Sequence, residues 1–388
     1  MKKLFFYGLM LLTASFTFVA CSSDDDDDKG KSALGLDDSQ AQAAPEVEQN
    51  TVNIPNFSAP YIEEGSNGTV GNISFTGIKG VDGNYINLVG TDGGANQNIW
   101  LSIDGQPKAI KIVNAGKNTK TKPAADVVFL IDDSGSMYEE ADSVANQVVA
   151  WSKVLAQVVD AHFGVVGYGD GYYGIDGAMD LNVIDSLDAY LSGRNRSGVY
   201  RTMGFWGSRG EYLESLIGRS GNYSYPGTGS DECGALALHY ADEQFSFREG
   251  ANRIYLNFTD EPNFAYDDHR WSVETVNASN TAEYNWSADK GTIHTIFSED
   301  PNYYSWREYY REQPWLMSDY TGGTTIYAPW NFEGVTLNGI EVTGAITNTY
   351  IMRFNITPDL KTGVHSLVIT VYDKNGKAVK TSSMTFTL

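Results

Sequence analysis

The stretch DVVFLIDDSGSM, residues 126–137, decides the fold of this 388-residue chain. Its apolar residues follow one another without a polar break, as in a parallel strand that is covered on both faces. A short polar turn comes next. Apolar residues then recur at helical spacing, which predicts an amphipathic helix, at Val144, Val148, Trp151, Leu155 and Val158. Strand, turn and helix together predict one unit of an open α/β sheet.

The same alternation continues along residues 124–330. Strand-like runs occur at 163–168, 253–258, 292–297 and 324–328, and helical stretches such as 232–245 and 303–320 fall between them. Alternation of this kind predicts a doubly wound, mostly parallel sheet.

The flanks, residues 51–120 and 335–388, have a different pattern. Short runs of β-forming residues, including NYINLVG at 84–90, lie between turn residues, and Asp104-Gly105 and Asn375-Gly376 are hairpin signals. Neither flank has enough strands to bury a face alone. We therefore expect 51–120 and 335–388 to pair into one β-sandwich beside the central domain.

The charge and the cysteine content exclude several classes of protein. A formal net charge of −22 and a pI near 4.5 argue against a nucleic-acid partner, whose phosphates require a basic face. An acidic surface suits divalent cations. Two cysteines and five scattered histidines support neither a disulfide framework nor a zinc cluster.

The N-terminus has the features of a signal peptide over residues 1–20. Lys2 and Lys3 precede an apolar run that ends at Ala20, directly before Cys21. The tetrapeptide FVAC resembles a bacterial lipobox, which implies that Cys21 becomes the lipid-bearing mature N-terminus. An ordinary secretory signal followed by a chance cysteine is the alternative.

An acidic run, SSDDDDD at 22–28, follows the lipobox-like segment. Such a run stays solvated, and we expect residues 21–50 to form an acidic flexible tether. The run resembles the tract that directs lipoproteins of some Gram-negative bacteria to the outer face of the outer membrane. That resemblance implies a lipid-anchored, surface-exposed protein of the outer membrane. An inert spacer or an engineered tag is the alternative.

Oxygen-bearing side chains follow two of the predicted strands. Asp132, Ser134 and Ser136 follow the strand at 126–131, and Asp260 follows the strand at 253–258. Ligands of open α/β sheets bind outside the carboxyl ends of the strands, and Mg²⁺ requires about six oxygen ligands. These residues therefore predict a divalent-cation site. The alternative is an ordinary loop with helix-capping hydroxyls.

Three segments of this region resemble a von Willebrand factor type A domain with a metal-ion-dependent adhesion site. They are DVVFLIDDSGSM, YLNFTDEPN and LMSDYTGGT, and the resemblance covers residues 124–330. It implies Mg²⁺, or Mn²⁺ or Ca²⁺, bound directly by Ser134, Ser136 and a hydroxyl of a third loop, with Asp132 and Asp260 acting through bound waters. That third loop is YPGTGSDECGALAL, and Thr228, Ser230 and Asp231 all remain possible ligands in it.

Two further acids, Glu139 and Glu140, continue the first motif. Integrin β I-like domains have acids at this spacing for an adjacent calcium site, and the resemblance implies such a second site here. The alternative is that acids simply favour the first turn of a helix through its dipole.

The function that these features predict is adhesion or protein–protein interaction at the cell surface, in which a carboxylate of a protein ligand completes the metal site. One alternative is a structural scaffold of an envelope or fimbria-like assembly. A metal-dependent hydrolase is the other alternative. The sequence has no GxSxG, HExxH or P-loop motif, so we predict no catalytic residue and expect the protein not to be an enzyme.

Overall fold

The computed structural model describes most of the chain after residue 33. The described residues are 34–46, 57–65, 68–115, 122–169, 174–193, 205, 232–265, 269–277, 286–299, 312–329, 332, 335–337, 340, 342–373 and 378–388. Residues 32–388 belong to one compact unit. The predicted signal peptide, Cys21 and the acidic run lie outside the described residues.

The regular elements are numbered in chain order. The described strands are β1 (Tyr61–Gly65), β2 (Gly68–Phe75), β3 (Ile99–Ile103), β4 (Gln106–Lys108), β5 (Ile110–Asn114), β6 (Ala124–Asp132), β7 (Asp160–Tyr168), β8 (Gly177–Asn182), β9 (Asn252–Thr259), β10 (Thr292–Glu299), β11 (Thr325–Pro329), β12 (Tyr350–Asn355), β13 (His365–Tyr372) and β14 (Ala378–Phe386). The described α-helices are α1 (Ala141–Val158), α2 (Ile184–Ser192), α3 (Gly234–Gln244), α4 (Trp315–Thr321) and α5 (Val342–Thr347). No helix in the described ranges is long and apolar enough to cross a membrane.

The central sheet has six strands in the order β11-β10-β9-β6-β7-β8. All neighbouring strands are parallel except β7 and β8, which are antiparallel. The predicted mixed α/β class with a mostly parallel central sheet is therefore confirmed. From β6 the chain first builds outward to one side, through β7 and β8, and then continues on the other side from β9. The strand order thus reverses between β6 and β9, where open α/β sheets leave a crevice for ligands.

Both faces of the central sheet are covered, which explains the unbroken apolar run of β6. Val127, Phe129 and Ile131 belong to the buried cluster that contains α1, whereas Val128 and Leu130 belong to the cluster that contains α3. Helix α1 buries four of the five residues that predicted it, Val144, Val148, Trp151 and Leu155. The fifth, Val158, is the last residue of the helix and is 46% exposed.

The flanking segments form two antiparallel four-stranded sheets, in the orders β1-β2-β12-β5 and β14-β13-β3-β4. Each sheet combines strands of both flanks, because β12 pairs with β2 and β5, and β13 pairs with β3. Buried residues of the two sheets form one apolar cluster, which includes Ile73, Leu101, Met352, Phe354 and Ile369. The Asp104-Gly105 turn connects β3 to β4. The hairpin signal at Asn375-Gly376 lies outside the described residues, and the strands before and after it, β13 and β14, are antiparallel.

The expected strand at 84–90 is absent from the structure, which has only an isolated bridge at Tyr85 there. The Asn98 side chain takes the place of a strand partner: its Oδ1 accepts from Val89 N at 2.8 Å, and its Nδ2 donates to Asn87 O at 3.0 Å. Ile86 and Leu88 are nevertheless buried. The expected helix at 303–320 falls partly outside the described residues, and α4 is its described part.

Residues 34–46, which lie within the expected tether at 21–50, contact the two antiparallel sheets. Asp38 accepts from Lys108 Nζ and from Ala109 N, both at 3.0 Å. Asn355 Nδ2 donates to Leu36 O at 2.8 Å, and Tyr372 OH donates to Glu46 O at 3.0 Å. We call residues 34–46 the N-terminal strap. Its polar groups find partners on the sheets, so this part of the chain has a defined path.

Candidate metal centre

Asp132 ends β6 and holds together the two polar turns of the predicted site. Its Oδ1 accepts from the backbone N of Ser134 at 2.9 Å, and its Oδ2 accepts from Thr259 Oγ1 at 2.7 Å. Thr259 is the last residue of β9, the parallel neighbour of β6. The fully buried carboxylate of Asp132 therefore fixes its own turn and ties it to the turn that carries Asp260.

The two serine hydroxyls and Asp260 lie in contact. Ser134 Oγ and Ser136 Oγ are 2.9 Å apart, and Ser136 Oγ donates to Asp260 Oδ1 at 3.1 Å. Ser134 precedes the short 3₁₀ helix Gly135–Tyr138, but its side chain makes no capping bond there. Helix capping thus does not account for the Ser134 hydroxyl, which contacts the hydroxyl of Ser136 instead.

The paired acids Glu139 and Glu140 have different environments. Glu139 is half-buried, and its Oε1 accepts from Tyr138 OH at 2.5 Å. Glu140 is fully buried, and its Oε1 accepts from Ser298 Oγ at 3.0 Å, near the end of β10. Its negative charge also helps to raise the pKa of Asp260. Glu140 therefore belongs with the buried acids around Asp260. It is not a solvated acid beside the helix dipole, as the alternative interpretation would require.

The carboxylates of this region raise one another's pKa values. Burial, followed by the charge of Glu232, holds the pKa of Asp132 well above its usual range. Burial, followed by the charges of Asp132 and Glu140, does the same for Asp260. Burial and the charge of Asp260 raise the pKa of Glu261 to about 7. Within the described part of the chain, neither Asp132 nor Asp260 forms a salt bridge.

Three residues of the site were not singled out as site residues from the sequence: Thr259, Glu261 and Glu232. Thr259 and Glu261 flank Asp260, so proximity along the chain was a usable signal. Glu232 approaches through the fold. A Cβ on Gly169, whose φ is +107°, would lie 3.0 Å from Asp132 Oδ1 and 3.3 Å from Glu232 Cγ. Only the missing side chain of Gly169 leaves room for both acids.

The third predicted loop lies largely outside the described residues. Thr228, Ser230 and Asp231 are among the residues left out, and the description resumes at Glu232, two residues before α3. The choice among the three therefore remains a prediction. No group of three or more His, Cys, Asp or Glu side chains in the described ranges is arranged to hold a metal ion. The predicted ligand set consists largely of hydroxyls and needs that loop.

The residues present fit a hard divalent cation. Two hydroxyl oxygens and one carboxylate oxygen form a chain of contacts of 2.9 and 3.1 Å. Oxygen donors of this kind are the ligands that Mg²⁺, Mn²⁺ and Ca²⁺ prefer. Buried acids without a basic partner are costly unless a cation compensates them. The oxygen donors and the negative charge of Asp132 and Asp260, which form no salt bridge within the described residues, thus both favour a divalent cation.

Comparisons with known proteins give limited information. No protein-family model matches the chain, and no curated protein matches it. Two structures of proximal thread matrix protein 1 from the mussel byssus are similar to this chain at 12% identity. One has a TM-score of 0.28 and covers 58% of this chain and 46% of that protein. The other has a TM-score of 0.32 and covers 64% of this chain and 51% of that protein. Human COPII-coat protein Sec24c is similar at 8% identity and a TM-score of 0.25, covering 73% of this chain and 46% of its own. The chain thus spans about half the length of these proteins, and at such TM-scores the likeness carries no argument.

Proposed function

We propose that this chain is a cell-surface lipoprotein that binds a protein partner through a divalent cation. Asp132, Ser134, Ser136 and Asp260 would hold the cation, together with Thr228 or Ser230 of the third loop. The observation that carries the proposal is the contact of Ser134, Ser136 and Asp260 at the ends of adjacent parallel strands. This edge of the sheet is also where the strand order reverses.

The residues of the proposed site have different roles in binding a cation. Ser134 and Ser136 offer neutral oxygens, so direct bonds to them leave the charge of a bound ion to the nearby carboxylates and to a further anionic ligand. Asp132 is held by Ser134 N and Thr259 Oγ1 and therefore keeps its orientation. A bound Mg²⁺ supplies a concentrated positive charge that attracts one further anionic oxygen. A carboxylate of a partner protein is the ligand class that this charge selects.

The proposed ligand Asp260 lies at the opposite end of β9 from a contact with β2. Asn252, the first residue of β9, donates to Ser74 Oγ of β2 at 3.4 Å, whereas Asp260 follows the last residue of the same strand. At about 3.3 Å per residue, β9 separates these two ends by roughly 25 Å. The N-terminal strap contacts the antiparallel sheets.

The first test removes one proposed ligand. Ser136→Ala should weaken Mn²⁺ binding by about tenfold or more, measured by electron paramagnetic resonance, because an oxygen ligand is lost while Asp132 keeps its contacts. Ser192→Ala is the matched control, since Ser192 Oγ also donates to an aspartate carboxylate, that of Asp188, at 3.1 Å. Equal affinity of wild type and Ser136→Ala, or no Mn²⁺ binding by wild type, would contradict the proposal.

The second test concerns the partner. Surface proteins captured on the immobilised wild-type protein in Mg²⁺ should be released by EDTA and should not be retained by Ser136→Ala. Capture that is unaffected by EDTA and by the substitution would favour the scaffold alternative over adhesion.

One observation favours metal-dependent hydrolysis as a second candidate function. Glu261 is half-buried beside the proposed ligand Asp260, where its carboxylate could act as a general base toward a water on the cation. Mg²⁺-dependent cleavage of a peptide or phosphoester library that is lost in Glu261→Gln would support this candidate. Lack of turnover, with cation binding intact, would leave adhesion as the better proposal.

A further inference from the structure

Thr259 bonds to both polar turns of the proposed site through one oxygen. It ends β9 and is 2% exposed. Its Oγ1 donates to Asp132 Oδ2 at 2.7 Å and accepts from Glu261 N at 3.1 Å. A threonine hydroxyl that accepts from the backbone two residues ahead closes a tight turn, here the turn that carries Asp260. One hydroxyl thus fixes the Asp132 carboxylate against the turn after β9.

The carboxylate of Asp132 is engaged by the fold at both of its oxygens. Oδ2 accepts from Thr259 Oγ1, and Oδ1 accepts from Ser134 N at 2.9 Å. The side chain is fully buried, and Asp132 is paired in register with Tyr168 of β7. A cation bonded directly to either oxygen would lie close to the partly positive hydrogen of one donor, and the two would repel each other. These donors therefore oppose a direct bond between Asp132 and a cation.

Asp260 has a different environment. Its side chain is half-buried, and its Oδ1 accepts from Ser136 Oγ at 3.1 Å. Ser136 Oγ in turn lies 2.9 Å from Ser134 Oγ. Asp260 is therefore one of a group of contacting oxygens that are all proposed ligands. Asp132, in contrast, is held by a backbone N–H and by a hydroxyl that is not a proposed ligand.

We propose that Thr259 is a positioning residue that keeps Asp132 from bonding directly to the cation, and this inference rests on the proposed function. With Asp132 held back, the cation keeps more of its positive charge for a carboxylate from outside. Without the Thr259 hydroxyl, Oδ2 of a buried carboxylate has lost its donor and gains more from a direct bond to the cation. That bond would strengthen cation binding and weaken the attraction for an external carboxylate.

The test removes the hydroxyl at constant size with Thr259→Val. We measure Mn²⁺ affinity by electron paramagnetic resonance, and acetate affinity of the Mn²⁺-loaded protein by relaxation of the acetate protons. Mn²⁺ affinity should rise and acetate affinity should fall, each by about tenfold, the size usual for groups that orient metal ligands. The opposite signs are the decisive readout, because general loosening of the site would lower both affinities. Thr259→Ser keeps a hydroxyl and should restore both values.

Thr321→Val is the matched control. Thr321 is also a buried threonine whose Oγ1 donates to one oxygen, Met317 O at 2.8 Å, and accepts from one backbone N, that of Ile293 at 3.0 Å. Ile293 lies near the start of β10, at the opposite end of the sheet from the proposed site. We expect this variant to lower the unfolding temperature and to leave both affinities unchanged.

The outcomes separate the inference from the proposed function. Shifts of the two affinities in the same direction, no shift in either, or a serine variant that behaves like the valine variant would overturn the inference alone. Thr259→Ala also lacks the hydroxyl and provides the same measurement if the valine variant does not fold. Failure of the wild type to bind Mn²⁺ would overturn the proposed function and the inference with it.

Discussion

Asp260 shows at the level of single residues why this site should depend on a cation. Its carboxylate is partly buried, and the charges of Asp132 and Glu140 both raise its pKa. Ser136 Oγ donates to it, but no lysine or arginine of the described residues forms a salt bridge with it. Without a cation the acids repel one another, and with one they attract it together.

Glu140→Gln should therefore have opposite effects in the two states. The amide keeps an acceptor for Ser298 Oγ but removes one negative charge, so the free energy of unfolding in EDTA should rise by about 1 kcal/mol. Mg²⁺ affinity should fall, because less negative charge faces the ion. Urea unfolding with EDTA and with Mg²⁺ measures both effects.

Glu139→Gln is the control for this pair of effects. Glu139 is the half-buried neighbour of Glu140, and the substitution removes the same charge one residue away. It should change the free energy of unfolding by no more than about 0.5 kcal/mol in either condition. If Glu140→Gln shifts stability in the same direction with and without Mg²⁺, the proposed balance of charges is wrong.

At the level of elements, the ends of β6, β9 and β10 bring the acids together, and the group should titrate as one unit. Raised pKa values mean that the folded protein without a cation binds more protons than the unfolded chain does. Its stability in EDTA should then fall as pH rises above the usual carboxyl range. Mg²⁺ competes with these protons. The rise in unfolding temperature on adding Mg²⁺ should therefore grow between about pH 5 and pH 8. A rise that is constant or larger at low pH would contradict this account.

The parallel strands explain how much of the site could be predicted from the sequence. Ile131 and Phe258 are partners in the register of β6 and β9, so the residues that follow them must meet at one edge. The two polar turns could be placed together on that basis. The sequence named Glu139 and Glu140 together but could not tell which of them is fully buried, because Glu140 bonds to Ser298 of a distant strand and first-turn acids are usually solvated. Glu232 likewise reaches Asp132 only because Gly169 leaves space.

The 84–90 segment marks a limit of pattern-based prediction for strands. Its apolar residues Ile86 and Leu88 are buried as a strand would bury them. Its backbone, however, bonds to the amide of Asn98 instead of a full neighbouring strand. Hydrophobic alternation reports which side chains are buried, and it does not report what satisfies the backbone.

At the level of the whole molecule, the two flanks meet at a charged pair as well as in the apolar core. His365, the first residue of β13, bonds through Nδ1 to Asp104 Oδ2 at 2.7 Å and through Nε2 to Thr362 O at 3.0 Å. The bond to Asp104 raises the pKa of His365, and the same bond lowers the pKa of Asp104. Asp104 belongs to the 51–120 flank and His365 to the 335–388 flank, so this pair stabilises the packing of the two flanks against each other.

This pair should make the union of the flanks weaker at alkaline pH. The folded pKa of His365 is above its unfolded value, so its contribution is complete below about pH 6.5 and is lost as pH rises through the folded pKa. The difference in unfolding temperature between wild type and His365→Gln, both in EDTA, should be larger at about pH 5.5 than at about pH 8.5. A difference that is independent of pH would show that the charge of His365 contributes nothing.

The most direct measurement for the whole account is anomalous scattering from crystals of the protein grown with Mn²⁺. The account predicts one strong Mn²⁺ peak within bonding distance of Ser134 Oγ and Ser136 Oγ, beside Asp132 and Asp260, at about 2.0–2.3 Å from its direct ligands. The peak should disappear in Ser136→Ala and persist in Ser192→Ala. A crystal in which wild-type protein shows no peak at this edge of the sheet, or shows one only elsewhere, would contradict the central claim.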